Sequence, residues 1–297
     1  MRTSSGSALA ALAALAMGSM SGAASGAPLP EIRETKRLRV AVYTEFAPFA
    51  DDGQGVDVEV GKALAEKLGA AAEISSFKAA ENMNDDLRNV VWKGHYLRKE
   101  PLADVMMHVP VDPVWARKNE QVRILAPYYR ERLVVARNRN VIPNLFTLDV
   151  FGEEKIGVQF DTLEDNYLFN SFGGRLRQSL VHYPTTLAAA EALKKNEIAA
   201  VMGLQSHLEA SLGSSAEKFG IAPVATPGLP TTGWDVGVAV KADNPELAAA
   251  LEKAMAELLE DGTIGRIFTR RGITHAPPHA THPATPPVTP PNATQNP

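Results

Sequence analysis

The chain has 297 residues, with 30 Lys and Arg against 34 Asp and Glu for a formal charge of −4, and it has no cysteine. The missing thiols exclude disulfides, thiolate metal sites and cysteine nucleophiles, so stability has to come from an ordinary apolar core. The near balance of interspersed charges gives no electrostatic footprint for nucleic acid or for an anionic membrane.

Met1-Arg2, an Ala/Leu run over residues 8–17 and small residues over 18–27 read together as a secretory signal peptide, residues 1–27. Its apolar run is too short to span a bilayer. Ala23, Ala24 and Ala27 can each precede the cut, and the competing reading is an Ala-rich first helix. With no cysteine near the cut there is no lipid anchor, so the expected product is a soluble exported protein, periplasmic where the host has two membranes. At the other end, residues 275–297 are rich in Pro, Thr, His and Ala and cannot bury enough apolar surface to order themselves. His275, His279 and His282 lie in this stretch; a solvated tail is preferred over a weak chelating site. Roughly 250 residues remain, room for two modest lobes or one large domain.

In chain order, residues 38–43 (LRVAVY) form a short apolar strand, followed by a loop with Phe46, Pro48 and Phe49. Val56, Val60, Ala63, Leu64 and Leu68 recur at helical spacing, and Gly69 stands where that helix ends. Residues 72–77 return as a strand, 85–93 read as a helix, and 103–109 as a buried strand. A second set follows: strand 155–159 (KIGVQ), a helix from near Thr162, a strand around Val181, helix 187–194 and strand 198–202 (IAAVM). Residues 234–240 (WDVGVAV) form the last strand. Asp243 or Asn244 caps the next helix, Pro245 suits its first turn, and Gly262 stops it before a short helix over 263–270. Strands alternating with helices argue for parallel α/β sheets, and the repeat in kind argues for two similar lobes.

Three blocks carry a resemblance to the type 3 extracellular solute-binding proteins. They are LRVAVY and FAPF with GVDVEVGKALAEKLG at 55–69; ADVMMHV at 103–109 with APYY at 126–129; and VGVAVKADNPELAAALEKAMAELLEDGTIGRIF at 236–268. The resemblance implies an α/β, periplasmic-binding-protein-like fold in which two lobes, joined by a two-strand hinge, enclose a cleft. Lobe 1 would take residues 36–134 and 234–274 and lobe 2 residues 135–233, with crossings near 132–137 and 230–233. In such a fold the carboxyl ends of parallel strands face one cleft, and hinge closure buries the ligand.

The resemblance also implies a cleft set: Tyr43, Phe46, Phe49, His108, Asp112, Arg117, Asp161, Thr162 and Leu204. Amino-acid-binding members hold the ligand carboxylate with an Arg after the lobe 1 strand and a Gly-Thr-Thr-like turn at a lobe 2 helix start, which suits a guanidinium fork and free N–H groups. Arg117 takes that part only if residues 114–116 bulge outward; otherwise it is a solvated loop Arg. The turn here reads Phe160-Asp161-Thr162-Leu163, with an acid beside the expected carboxylate and a hydroxyl lost at Leu163. Asp161 reads more readily as a helix N-cap than as a ligand group. Tyr43 and Leu204 stand where members carry acids for the ammonium group, and each lost charge-assisted bond costs on the order of 1.5 to 3 kcal/mol. Phe46, Phe49, Trp115 and Tyr128 would make the cleft mouth aromatic, although each taken alone reads as core.

Residues 81–102 (ENMNDDLRNVVWKGHYLRKEPL) replace a compact helix and Gly turn. The wording MNDDLRNVVWKGHY followed by ADVMMHVPVDP is similar to the solute-binding-like accessory proteins of bacterial quinoprotein methanol dehydrogenase systems, the MxaJ/XoxJ group, nearest the lanthanide-dependent branch. That implies a non-catalytic periplasmic protein that aids maturation or activation of the dehydrogenase, with the enzyme and its c-type cytochrome as partners. Trp92, His95, Tyr96 and Arg98, with Lys99, form an aromatic and basic cluster suited to a partner surface. The competing reading places Trp92 in the core and the charges in solvent. The alternative function is a transporter receptor for an amino acid or another small polar solute, partnered by a membrane permease. An enzyme of the cyclohexadienyl dehydratase kind would need Asp112, Asp161 and His108 to converge, and no spacing motif supports it. His95 and His108 have no carboxylate spacing that defines a metal site, and no cofactor is called for.

Overall fold

The computed structural model describes residues 26–97, 100–229 and 231–279. Residues 1–25 of the expected signal peptide, Arg98, Lys99, and residues 280–297 of the expected tail, with His282, lie outside the described residues, as does Pro230.

A short helix α1 (Leu29–Thr35) leads into β1 (Arg37–Tyr43), which is buried almost throughout, as a strand covered on both faces must be. Helix α2 (Val56–Lys67) starts after Gly55, whose φ of 132° and closeness to the Phe49 carbonyl, 2.1 Å from where a Cβ would lie, admit no side chain. Strand β2 (Ala71–Phe77) returns beside β1, and α3 (Met83–Leu87) runs into a π-helical turn, Arg88–Trp92. There follow β3 (Val105–Pro110), α4 (Pro113–Ala116) and the long β4 (Val122–Asn138).

Then come β5 (Ile156–Gln159), α5 (Leu163–Asn170), β6 (Leu180–Tyr183), α6 (Thr186–Lys194), β7 (Ala200–Leu204), α7 (Gln205–Leu212) and β8 (Phe219–Ala222). Strand β9 (Gly233–Lys241), α8 (Pro245–Glu260) and α9 (Thr263–Arg270) close the order. Asn244, rather than Asp243, caps α8 by accepting the Leu247 N–H.

The strand order is β2-β1-β3-β9-β4-β7-β5-β6, with β8 also on β4. In lobe 1, β1 is parallel to β2 and β3, while β9 runs antiparallel between β3 and β4. In lobe 2, β5 is parallel to β6 and β7. Strand β4 belongs to both: up to Arg132 it pairs with β9, and from Leu133 it pairs with β7, then also with β8. The chain returns beside that crossing, where the Leu133 N–H donates to the Thr232 carbonyl at 2.9 Å. The molecule is thus an α/β protein of two lobes. Lobe 1 buries α2, α8 and α9 against one sheet face and α3 with the π-helical turn against the other; lobe 2 has a core on each side of its sheet. No helix among the described residues is long and apolar enough to cross a membrane.

Both ends of the described chain are pinned. Residues 275–279, expected in a solvated tail, lie instead on lobe 1. Ala276 is buried in its core and accepts the Arg130 N–H, His275 Nε2 lies 2.8 Å from the Tyr128 carbonyl, and the His279 N–H donates to Asp235. These residues need no core of their own; existing backbone and carboxylate partners order them.

Candidate functional site

The carboxyl ends of β1 and β3 in lobe 1 face those of β5, β6 and β7 in lobe 2, which is where an open α/β sheet places a ligand. A cavity of about 440 Å³ lies between the lobes, lined by Glu45, Phe46 and Pro48 from lobe 1 and by Gln159, Thr186, Leu187, His207 and Ser211 from lobe 2. Among the described residues Glu45 and His207 are its only ionisable lining groups, and neither is an arginine or lysine that would meet a ligand carboxylate there.

The lobe 1 wall is built on Asp57. This residue sits on the buried face of α2, is 0% exposed, accepts the Tyr128 hydroxyl at 2.5 Å and lies 3.1 Å from His108 Nδ1. His108 adopts a φ of 61°, and its ring packs edge-on against Phe46 and Phe49 at centroid distances of 4.7 and 4.2 Å. Burial and the Asp57 charge raise the Tyr128 hydroxyl well above its ordinary pKa, so it stays a donor.

Helix α7 of lobe 2 reaches into this wall. The His207 ring packs against Phe46 and Phe49 at 5.6 and 6.1 Å, and its buried Nε2 has no hydrogen-bond partner. Burial first, and the nearby His108 second, push its pKa down to about 4. One residue earlier, Ser206 donates its N–H and its hydroxyl to Glu131, a β4 carboxylate 1% exposed whose pKa burial raises. Glu209 accepts the Thr274 N–H at 2.6 Å and holds Gln205 at 2.8 Å.

The lobe 2 helix start that would hold a ligand carboxylate is already occupied. Thr162 caps α5 by accepting the Asp165 N–H, so the cap expected at Asp161 falls one residue later. Asp165 accepts the Asp161 N–H at 2.9 Å and pairs with His182 at 2.9 Å, and Glu164 is buried behind it with a pKa that burial raises. The helix dipole is thereby met by the protein's own carboxylates.

The expected cleft residues separate. Phe46 lines the cavity, Phe49 is fully buried behind it, and His108 stands on Asp57. Tyr43 does not face the cleft: it is core, and its hydroxyl donates to Asp86 at 2.9 Å, tying the 81–102 segment to β1. Leu204 packs on the lobe 2 core at the start of α7. Asp112 is the N-cap of α4, accepting the Trp115 N–H. Arg117 is exposed on a lobe 1 groove with Arg88, Trp92 and Glu120, away from the interlobe cavity, because α4 turns the loop outward. Asp161 and Thr162 line a separate lobe 2 groove with Phe160, Phe169 and His182. The Asp112, Asp161 and His108 groups considered for catalysis therefore stand apart. In the 81–102 segment Trp92 packs half-buried on the core, whereas Tyr96 and Leu97 are 83% and 73% exposed and His95 stacks on Tyr96 at 4.9 Å.

The residues that sequence reasoning missed, Asp57, Glu131, Ser206, His207 and Glu209, left two signals. Asp57 shares an apolar helix face with Gly61 and Leu64, and Glu131 shares a strand face with Tyr129 and Leu133. An acid on an apolar face marks a buried partnered charge.

No protein-family model matches the chain, and no curated protein matches it. Solved structures do. An ancestral cationic amino-acid solute-binding protein aligns with a TM-score of 0.64 at 18% identity, over 82% of this chain and 99% of its own. A polar amino-acid ABC uptake transporter substrate-binding protein from Streptococcus thermophilus aligns at 0.63 with 14% identity, over 82% and 90%. An amino-acid ABC transporter substrate-binding protein from Streptococcus pneumoniae, bound to L-arginine, aligns at 0.54 with 18% identity, over 84% and 99%. The chain has the two-lobed periplasmic-binding-protein fold of these amino-acid solute-binding proteins.

Proposed function

We propose that this protein is a non-catalytic, exported member of the solute-binding fold whose cleft no longer captures amino acids. In this reading it serves as a periplasmic accessory protein of a quinoprotein methanol dehydrogenase, with the enzyme and its c-type cytochrome as partners. The observation that carries the first half is the chemistry of the carboxylate anchor: among the described residues no arginine or lysine lines the interlobe cavity, and Glu164 and Asp165 occupy the α5 start. A ligand carboxylate there meets like charge instead of a guanidinium fork. The link to the dehydrogenase rests on the resemblance of residues 83–96 and 103–113, and the fold neighbours carry no link to methanol oxidation. Deleting the gene tests it: dehydrogenase activity should fall, and the tagged protein should retain the quinoprotein from a periplasmic extract. Unchanged activity in the deletion strain overturns the accessory role.

A second reading, a substrate-binding receptor of an ABC transporter, is favoured by the structural neighbours and by an interlobe cavity of about 440 Å³. The lining, one carboxylate with aromatic and hydroxyl groups, suits a neutral or cationic solute better than an anionic one. Calorimetric titration with amino acids decides it. Saturable micromolar binding establishes the receptor, and its absence leaves the accessory reading.

A further inference from the structure

We infer that α7 is a fixed strut that holds the two lobes at one angle, so that the molecule does not open and close about its hinge. The helix is shared by two cores. Leu208 and Leu212, four residues apart, are buried in lobe 2, whereas Ser206, Glu209 and Ala210 lie three and four apart and meet lobe 1. Each contact with lobe 1 is of a different kind. Ser206 gives two hydrogen bonds to Glu131 on the lobe 1 part of β4. His207 inserts between the lobes against Phe46 and Phe49, and burial keeps the ring neutral. Glu209 accepts the Thr274 N–H from the segment that follows α9, and that segment is itself anchored on Tyr128 and Arg130. Ala210 packs against the lobe 1 core.

Opening the lobes would take the Ser206 hydroxyl and N–H from a 1% exposed carboxylate, leaving it the Arg132 N–H and the Tyr129 hydroxyl, and would pull an imidazole from an aromatic nest. A buried carboxylate that loses two of its donors is destabilised. The segment from Thr274 to His279 adds a second tie, since it joins a lobe 2 helix to lobe 1 outside the two hinge crossings. The interlobe cavity is then a standing groove between fixed walls. This inference does not depend on which partner the protein serves.

The chain has no cysteine, so two can be introduced cleanly for spin labels. Lys62 on α2 and Lys195 after α6 are exposed on opposite lobes. With Lys62→Cys and Lys195→Cys labelled in the full mature protein, pulsed dipolar spectroscopy should give one narrow interlobe distance, unmoved by a pool of the standard amino acids. Adding Ser206→Ala and His207→Ala should broaden it or add a second distance. Where that variant does not fold by circular dichroism, Glu209→Ala, which removes the bond to Thr274 and the bond from Gln205 on the same helix, is measured with the same labels. A distance that shifts with amino acids overturns the strut and establishes the receptor reading. A broad, ligand-independent distribution in the parent, or variants as narrow as the parent, overturns the strut alone.

Discussion

His207 ties the cleft to pH. Burial lowers its pKa from the ordinary 6.5 to about 4, so between these values the unfolded chain binds more protons than the folded one. Stability from this residue is therefore intact at neutral pH and falls as pH falls from about 6.5 towards 4, by at most about 3 kcal/mol once the ring is charged in both states. Glu131 and Glu164 act with the opposite sign: burial raises both, so their contribution is lost as pH rises through their folded values. The comparison that isolates the histidine is thermal melting against pH for the parent and His207→Phe. The variant should lose less stability on acidification, and parallel curves would refute the assignment. Asp104 makes a second case. This 2% exposed carboxylate accepts the Ala27 N–H at 2.7 Å, the Arg39 N–H at 2.8 Å and the Arg39 guanidinium at 2.7 Å. Asp104→Ala leaves the buried Ala27 N–H without a partner and frees the part-buried Arg39, and should cost about 1.5–3 kcal/mol, seen as a midpoint lower by roughly 3–12 °C. Because the Ala27 carbonyl also accepts the Asn244 side-chain amide, a signal cut after Ala23 or Ala24 keeps both bonds and a cut after Ala27 loses both. If the leader is cleaved, the intact mass of the mature protein should therefore include Ala27.

Strands and helices were legible in sequence where one apolar period dominated. LRVAVY, KIGVQ and WDVGVAV read directly because a strand covered on both faces needs an unbroken apolar run. The helix over 85–93 was found, but its division into α3 and a π-helical turn was not, since periodicity cannot distinguish four- from five-residue bonding. Less legible still was the irregular pairing around Gly237. Opposite it, β4 slips between Leu125 and Tyr129, with Ala126 at a φ of 50°, and β3 slips between Met106 and Val109. The slip lets β4 and β3 crowd Gly237, where an added Cβ would stand 2.4 Å from the Leu125 carbonyl oxygen and 2.7 Å from Val111 Cγ2. Gly237→Ala must push backbone apart and should destabilise by at least about 1–3 kcal/mol. Gly152→Ala, where a Cβ meets nothing within 4 Å, is the control and should melt close to the parent. Equal midpoints for the two variants would show that the bulge accommodates a methyl group.

For the molecule as a whole, the two-lobed fold followed from three sequence blocks, whereas the site did not, because side-chain direction in a cleft depends on how loops turn. Arg117 shows this: one turn of helix at Pro113–Ala116 directs it to an outer groove. Tyr43 shows the converse, a residue placed in the cleft by position that instead fastens the 81–102 segment through Asp86. The same segment, so anchored, presents Tyr96 and Leu97 to solvent at 83% and 73% exposure, with His95 stacked behind Tyr96. Two large apolar side chains held out on a rooted tip have the composition of an interface centre, and burying them on a partner is worth several kcal/mol. Neither contributes to the core, so Tyr96→Ser with Leu97→Ser should leave the melting midpoint unchanged. If the accessory reading holds, the same pair should weaken retention of the quinoprotein dehydrogenase at least tenfold, since each anchor lost at an interface centre costs more than about 1.4 kcal/mol. Retention equal to the parent's would place the contact surface elsewhere on the molecule. A fall in both midpoint and retention would mean that the tip holds the segment together rather than meeting a partner.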